Sequence, residues 1–307
     1  MTPKNMLCPY CGGITSHLFS TNDINQHMTD EVFDYRECLS CGIVYLCKVP
    51  SDIHNYYGKD YSAYRRGVNI QSAVNDYDLA KIELVKRYAT ASSLLEIGPG
   101  NGTFAYLAKK NGFAVDAVEM DLECSKFISE TIGVRRCINS KDIVGSLAKL
   151  DAKYDVIVMW HVLEHLEKTW DVLELLPSML APAGIIILAA PNPKALQFKI
   201  FGKYWKHVDA PRHLVLVPLR TLKKMMGIMG LDCVLATTND DVCAIFNSYG
   251  WWLNSLNSYL SSKHDGIMCW LFRKRWANQG LYDYIIKRCE RINGLGNTYL
   301  VVFKKPI

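Results

Sequence analysis

The sequence predicts an α/β fold in which helices cover a doubly wound parallel sheet, with a small cysteine-rich module at the N-terminus. From about residue 74 onward, short apolar runs alternate with segments of helical periodicity, which is the pattern of parallel strands joined by helices. One apolar run ends in a glycine-rich turn that opens a helix. Two C-x-x-C pairs in the first 48 residues indicate the separate module.

The alternation places each strand within a few residues. A helical pattern runs from 74 to 88, and an aromatic and basic stretch at 243–296 separates the last two strands as a helical insertion. Runs of alternating or continuous apolar residues predict the strands. They lie at 93–97, 114–119, 134–138, 154–159, 185–189, 232–237 and 299–303.

Composition and charge exclude several classes of protein. A chain of 307 residues with 50% hydrophobic and 21% charged residues is globular rather than disordered. The N-terminus lacks a charged segment followed by an apolar run, and no stretch approaches about 18 apolar residues, so we expect a cytoplasmic protein. A net charge of +5 permits an anionic substrate or a membrane surface without demanding nucleic acid.

The N-terminal cysteines have the spacing of a zinc site. Two tight C-x-x-C loops supply four thiolates, and each second cysteine precedes a glycine that permits a left-handed turn. Four protein ligands close the site, so the expected zinc is structural; a redox dithiol or unrelated thiols are the alternatives. Cys47 is not expected to be a ligand. The expected ligands are Cys8, Cys11, Cys38 and Cys41.

The glycine-rich turn follows the strand at 93–97 and reads Glu96-Ile-Gly-Pro-Gly-Asn-Gly102. A nicotinamide-binding loop begins in the same way, but it carries Gly or Ala where this chain has Thr103. Glu96 would repel a pyrophosphate and suits an ammonium group instead.

This turn resembles the first motif of the class I S-adenosylmethionine (SAM) methyltransferases, an acidic residue followed by G-x-G-x-G. The resemblance implies that Glu96, Gly98, Gly100 and Gly102 contact the methionine and ribose parts of the cofactor. Glu119 ends the second strand, where a carboxylate accepts ribose hydroxyls in this family and in NAD enzymes alike. In the loop after the third strand, we expect Asp142 to meet the adenine.

Later motifs are similar to the branch of this family that methylates small molecules and sugar-linked metabolites, some members of which carry an N-terminal zinc module. They are HVLEHL at 161–166, LAPAGIIILAAPNP at 180–193 and DAPRHL at 209–214. Trp160 and His161 lie at the carboxyl end of a central strand and are expected to line the methionine end of the cofactor. His161 and His165 are candidate catalytic imidazoles; the alternative is that His165 only packs or caps a helix.

The segment from Trp205 to Leu214 is interpreted as a lid. Methyl transfer to a hydroxyl requires that its proton be accepted, and His213 is the first choice of general base. Asp209 and Arg212, with Trp205, would fix the lid or hold an anionic substrate. In the structural alternative, an Asp209–Arg212 salt bridge merely folds the loop.

The expected domains are a zinc module at 1–48, a connector at 49–80 and a methyltransferase domain at 81–307, which includes the insertion at 243–296. Trp residues and a basic cluster at 249–276 suit peripheral contact with a membrane. A buried core or the face of a homodimer are the alternatives.

The leading hypothesis is methyl transfer from SAM to a small-molecule or glycosyl acceptor, lipid- or nucleotide-linked acceptors included, at oxygen. One alternative is a non-catalytic adaptor that keeps the zinc ribbon and the fold to bind a protein or nucleic acid. The other is an NAD(P)-dependent oxidoreductase, which Thr103 and Glu96 disfavour. A nucleic-acid partner is not expected.

Overall fold

The computed structural model describes residues 7–57, 69–247, 251–262, 288 and 291–307. The chain forms two compact units. The first consists of Met1–Ile53, Pro191–Pro218 and Thr237–Tyr299, and the second of His54–Ala190, Leu219–Ala236 and Leu300–Ile307. The division into residues 1–48, 49–80 and 81–307 stays a prediction.

The strands are numbered in chain order. They are β1 (Thr15–Thr21), β2 (Phe33–Cys38), β3 (Val44–Leu46), β4 (Ser93–Ile97), β5 (Ala114–Glu119), β6 (Arg136–Asn139), β7 (Tyr154–Trp160), β8 (Leu180–Pro191), β9 (Val215–Leu216), β10 (Asp232–Thr237) and β11 (Thr298–Lys304).

The α-helices are numbered in the same way. They are α1 (Ile70–Ala73), α2 (Asp76–Tyr88), α3 (Thr103–Lys110), α4 (Leu122–Phe127), α5 (Ile143–Ala148), α6 (Thr169–Met179), α7 (Leu196–Phe201), α8 (Leu219–Ile228), α9 (Asp241–Asn247) and α10 (Trp251–Ser262).

The second unit contains a seven-stranded sheet. A few residues at the ends of its strands belong to the first unit. The strand order is β10-β11-β8-β7-β4-β5-β6, and the pairs β4–β5, β5–β6, β4–β7 and β7–β8 are parallel. After β6 the chain crosses back over β4 to form β7 on its other side. The carboxyl ends of β4 and β7 therefore flank the switch point where open α/β sheets bind ligands. The expected fold class is confirmed.

Sequence patterns explain why the second unit's helices begin where they do. Asn75 caps α2 by accepting a hydrogen bond from the Asp78 backbone N–H at 3.1 Å, and Asp121 caps α4 through the Cys124 N–H at 2.9 Å. Such caps satisfy backbone donors that the first helical turn leaves open. The predicted strand bounds agree with β4, β5 and β10, whereas β8 begins five residues before the predicted strand.

The first unit is built on a four-stranded sheet in the order β1-β2-β3-β9. β1 to β3 come from the cysteine-rich N-terminal residues, and β9 comes from the interpreted lid segment. β3 and β9 pair antiparallel, with Val44 opposite Leu216 and Tyr45 opposite Val215. The N-terminal module and the Pro191–Pro218 segment thus share one sheet, a pairing that sequence patterns did not indicate.

Part of the aromatic insertion packs within the first unit. On α10, the Tyr259 ring lies 6.1 Å from that of Phe201 and 5.8 Å from that of Tyr204, and the Ser255 hydroxyl accepts from the Lys206 N–H at 2.9 Å. The rest of 249–276, on which the prediction of membrane contact depends, lies mostly outside the described residues. Among described helices, none has the length and apolar character needed to cross a bilayer.

Candidate functional site

The glycine-rich turn after β4 requires its glycines. Gly98, Gly100 and Gly102 have φ of +69°, +54° and +77°, a region that L side chains rarely adopt. A Cβ atom on Gly98 would lie 2.6 Å from Cγ2 of Val162. The turn therefore lies tightly against the loop that follows β7.

Glu119 ends β5 and anchors this turn. Its carboxylate accepts the Gly100 N–H at 2.8 Å through Oε2 and the Asp121 N–H at 2.8 Å through Oε1. The residue is 2% exposed. Burial raises the pKa of Glu119 to about 7, although the two N–H groups lower it. Each carboxylate oxygen has a second lone pair, so the anchored group can also accept hydroxyls.

Glu96 is a buried carboxyl with an unsatisfied oxygen. It is 2% exposed, and among the described residues no donor reaches its Oε2 atom. Burial raises the pKa of Glu96 to about 8, against the charge of Lys81, which lowers it. Buried polar atoms in proteins nearly always have partners. An unpartnered carboxylate oxygen beside the glycine-rich turn therefore fits a cationic ligand group such as the ammonium of SAM.

Three residues of α2 join this site and were not predicted. The Lys81 ammonium donates to Oδ1 of Asp78 at 2.9 Å and lies 4.1 Å from the Tyr77 ring centroid. It also lies 5.4 Å from the Trp160 ring and 5.9 Å from the Phe104 ring. A lysine in an amphipathic helix has no distinctive spacing, so the sequence carried no signal for it.

Trp160 and His161 lie at the carboxyl end of β7, as predicted, and their role in lining the cofactor stays a prediction. The Trp160 ring packs 5.3 Å from that of Phe104, and its buried Nε1 has no acceptor among the described residues. His161 has φ +58° and lies with Nδ1 3.4 Å from Oε1 of Glu164. Burial, followed by the charge of Lys81, lowers the pKa of His161 to about 3. Its imidazole is therefore neutral near pH 7.

The two other predicted residues of the second unit have local partners. His165 lies in a 3₁₀ turn, Leu163–His165, and its Nδ1 is 3.1 Å from the Tyr57 hydroxyl. Asp142 is exposed and caps α5, accepting the Gly145 N–H at 3.2 Å. Their catalytic and adenine-binding roles stay predictions.

In the first unit the four predicted cysteines converge. Their sulfur atoms all lie within 4.8 Å of one another, with 3.7 Å between Cys8 and Cys41 and 3.5 Å between Cys11 and Cys38. Tetrahedral zinc with Zn–S bonds of about 2.3 Å separates its sulfurs by about 3.8 Å, so the donor set and spacing fit this ion. Gly12 and Gly42 adopt φ of +68° and +72°, as the two C-x-x-C turns require.

The DAPRHL motif is an ion network rather than an open cluster. Arg212 is 0% exposed and donates to Asp209 through Nε at 3.0 Å and to Asp23 through Nη2 at 2.6 Å. Asn25 donates to Asp209 at 2.6 Å. Burial alone would raise the pKa of Asp209, yet hydrogen bonds from Arg212 hold it well below its usual range. The Asp209–Arg212 bridge of the structural alternative is present, with Asp23 as a second carboxylate.

His213 and Trp205 lie beside this network. The His213 Nδ1 is 2.8 Å from the His207 carbonyl oxygen, so it must carry the proton, and Nε2 lies 4.0 Å from Oδ2 of Asp209. The Tyr35 hydroxyl donates to the His213 carbonyl at 2.9 Å. Trp205 is buried and donates from Nε1 to Oδ1 of Asn297 at 3.0 Å. The Tyr35 contact ties the motif to β2, and the Trp205 contact ties the residues before the motif to the C-terminal part of the first unit.

Comparison with known proteins gives the family. The family described as "Methyltransferase domain" matches residues 71–236. A curated relative, the ubiquinone biosynthesis O-methyltransferase of Rickettsia typhi, is 26% identical over 144 residues, or 45% of this chain and 56% of the relative. The chain thus spans about half the length of that relative.

The solved structures to which the chain is similar share little sequence with it. A SAM-dependent methyltransferase from Archaeoglobus fulgidus is 20% identical, with 75% of this chain and 95% of that chain covered and a TM-score of 0.48. The cyclopropane synthase MmaA2 from Mycobacterium tuberculosis is 14% identical, with 74% and 82% covered and a TM-score of 0.47. Since the family match covers more than half of the chain's residues, the chain belongs to the methyltransferase-domain family.

Proposed function

We propose that this chain transfers a methyl group from SAM to the oxygen of a small-molecule or glycosyl acceptor. SAM supplies an electrophilic methyl group on a sulfonium. The chain's residues hold that group, align the acceptor hydroxyl with it, exclude water and accept the hydroxyl proton. The proposal has two parts, the cofactor and the acceptor, which rest on different observations.

The cofactor part rests chiefly on the unpartnered Oε2 atom of buried Glu96 beside the glycine-rich turn. Burial keeps the Glu96 carboxyl largely protonated in the free protein near pH 7, and a ligand that brings an ammonium supplies the partner that its ionised form lacks. Glu119 is held at the neighbouring strand end, where it can accept ribose hydroxyls. The pyrophosphate of a dinucleotide carries no cation that would pair with the ionised form of Glu96.

The acceptor part is supported by the name of the curated relative, an O-methyltransferase, and by the histidines. An O-methyltransferase needs a base for the acceptor hydroxyl, whereas an amine can attack from its neutral form. With Nδ1–H donated to a backbone carbonyl, the His213 ring keeps its lone pair on Nε2, the tautomer a general base requires. His161, with a pKa near 3, is too weak a base for that task. We therefore propose His213 as the base.

The cluster of four cysteines, Cys8, Cys11, Cys38 and Cys41, is proposed to hold a structural zinc ion. The two short sulfur–sulfur distances and the four-cysteine donor set support this assignment. Such a site contributes folding free energy and supplies no open coordination position for chemistry. Metal analysis of the purified protein is expected to find one zinc ion per chain.

A transfer assay tests the proposed reaction. Purified protein is incubated with SAM carrying a labelled methyl group and with acceptor pools sorted by chemistry: phenols, free sugars, nucleotide sugars and amines. We expect label in a hydroxyl-bearing pool, and loss of that transfer in Glu119→Ala but not in the exposed control Glu123→Ala.

Two results would contradict the proposal. Transfer confined to the amine pool would refute oxygen as the acceptor atom. A protein that binds zinc but neither binds SAM nor transfers label would favour the non-catalytic adaptor.

A further inference from the structure

Tyr35 is a buried tyrosine whose hydroxyl bonds to the backbone of the proposed base. It lies on β2, is 0% exposed, and donates to the His213 carbonyl oxygen at 2.9 Å. A buried tyrosine hydroxyl usually finds a hydrogen-bond partner. Here the partner is 178 positions away in the sequence. The bond therefore fixes a residue of the DAPRHL motif against the sheet of the N-terminal module.

A second contact from the same sheet holds the next residue of the motif. Leu46, on β3, lies opposite Tyr35 in the β2–β3 register, and its backbone N–H donates to the Leu214 carbonyl oxygen at 2.9 Å. The β3–β9 pairing continues from Val215. Two neighbouring strands of the module thus hold the successive carbonyl groups of His213 and Leu214.

The ring of His213 depends on where its backbone lies. Its Nδ1 is 2.8 Å from the His207 carbonyl oxygen, and its backbone N–H donates to the Asp209 carbonyl oxygen at 3.1 Å. Hydrogen bonds weaken steeply as they depart from linearity. A small shift of the His213 backbone would therefore weaken the Nδ1–H bond that keeps the lone pair on Nε2. The fraction of rings able to accept a proton at Nε2 would then fall.

We infer that Tyr35 is a positioning residue for His213: its hydroxyl holds the His213 backbone where the ring keeps its proton on Nδ1. This inference rests on the proposed function, which assigns His213 as the base. Tyr35 acts on the reaction through His213 and not by contact with the acceptor. Since the strand that carries Tyr35 ends at Cys38, the cysteine-rich module then contributes to the reaction as well as to the fold.

The test removes the Tyr35 hydroxyl alone. Tyr35→Phe keeps the ring and loses the bond to His213. Tyr45→Phe is the matched control, because Tyr45 is also buried and lies on the neighbouring strand, but its hydroxyl donates to Oγ1 of Thr15 at 3.4 Å. Zinc analysis and urea denaturation establish that both variants fold.

Two measurements follow the base and the reaction separately. Nuclear magnetic resonance of protein with isotope-labelled histidine rings reports which ring nitrogen carries the proton, and the His213 signal is the one that His213→Gln loses. Transfer from labelled SAM to the acceptor pool that takes the label gives kcat and KM. Calorimetric titration gives the affinity for SAM.

The unmodified chain and Tyr45→Phe should both show a single His213 tautomer with the proton on Nδ1. Tyr35→Phe should show both tautomers, and its kcat should fall by about fivefold, as expected for the loss of one hydrogen bond that orients the base. Its KM for the acceptor and its affinity for SAM should change by less than about twofold, because the bond acts on the chemical step and not on binding.

A single Nδ1–H tautomer in Tyr35→Phe would overturn the inference. Equal changes in the two tyrosine variants would also overturn it, because they would indicate a general response of the sheet, and so would a raised KM with an unaltered kcat. A changed tautomer with an unaltered kcat would refute His213 as the base, and the inference with it. If the unmodified chain neither bound SAM nor transferred label, the proposed function itself would be refuted, and this inference would fall with it.

Discussion

The glycine-rich edge of the second unit and the DAPRHL turn of the first unit are both rich in buried charge, but they satisfy it differently. At the glycine-rich edge, the described residues supply no donor to one oxygen of Glu96 and only one acceptor, Asp78, to the three N–H groups of Lys81. In the DAPRHL turn, Arg212 meets two carboxylates, and one of these also accepts from Asn25.

This difference separates two uses of buried charge. Charges that satisfy one another hold a turn in shape, and removing one partner leaves the others unpaired in a low-dielectric interior. Buried charged groups that lack partners within the protein fit a ligand that supplies the missing hydrogen bonds or opposite charge. The sequence alone does not distinguish the two uses, because in both regions charged residues lie beside glycine or proline.

The largest expected effect is the loss of the cysteine cluster. Cys38→Ser should remove the zinc ion and unfold the turns that carry it, because structural zinc sites contribute on the order of 10 kcal/mol of apparent binding free energy. Metal analysis should give less than one zinc per chain. Hydrogen exchange should show lost protection in β2 and, through the shared sheet, in β9.

Cys47→Ser is the matched control, since Cys47 lies outside the four-sulfur cluster. It should keep both the zinc and the exchange protection. Full zinc content and protection in Cys38→Ser would show that the cluster is not a metal site.

The next effect concerns the ion network. Arg212→Met should lower the free energy of unfolding by about 3–5 kcal/mol, because Asp23 and Asp209 would be left buried without their cation. Urea denaturation measures this change. A loss below about 1 kcal/mol would mean that the turn is not held by its charges.

The shared sheet and this network show where sequence reasoning was insufficient. The strands β4, β5 and β10 and the glycine-rich turn followed from periodicity and local spacing, which are properties of neighbouring residues. The Asp23–Arg212 pair joins residues 189 positions apart, and β9 is only two residues long. Neither leaves a periodic signal. Lys81 was missed for the related reason that two of the rings around its ammonium, those of Phe104 and Trp160, come from α3 and β7.

A third effect concerns pH. Burial raises the pKa of Glu96 to about 8 in the free protein. The charge of Lys81 lowers this pKa, and the charges of Asp78 and Glu119 raise it. The ammonium of SAM needs the ionised carboxylate, so binding near pH 7 must release a proton. Affinity for SAM should rise from pH 6 to pH 8, by at most about tenfold per unit for this one group.

Titrations in buffers of different ionisation enthalpy measure the released protons. Glu96→Gln should release fewer protons than the unmodified chain, and the remainder would come from Glu119, with its pKa of about 7. Proton release that Glu96→Gln leaves unaltered would show that Glu96 does not ionise on binding.

The smallest effect is expected at the surface of the first unit. Lys194 pairs with Glu37 at 3.0 Å, but the lysine side chain is 54% exposed. Lys194→Met should therefore change the free energy of unfolding by about 0–1 kcal/mol. Measured beside Arg212→Met, it sharpens the comparison between a buried network and a solvated pair. A loss as large as that of Arg212→Met would remove the distinction.

The central claim is that the incomplete charges at the glycine-rich edge form a SAM site. The most direct measurement is calorimetric titration of the zinc-quantified protein with SAM and with its demethylated product, with NADH as the control ligand. We predict micromolar binding of both sulfur ligands, none of NADH, and at least about tenfold weaker SAM binding in Glu96→Gln. If neither sulfur ligand bound, or if only NADH bound, the claim would be contradicted.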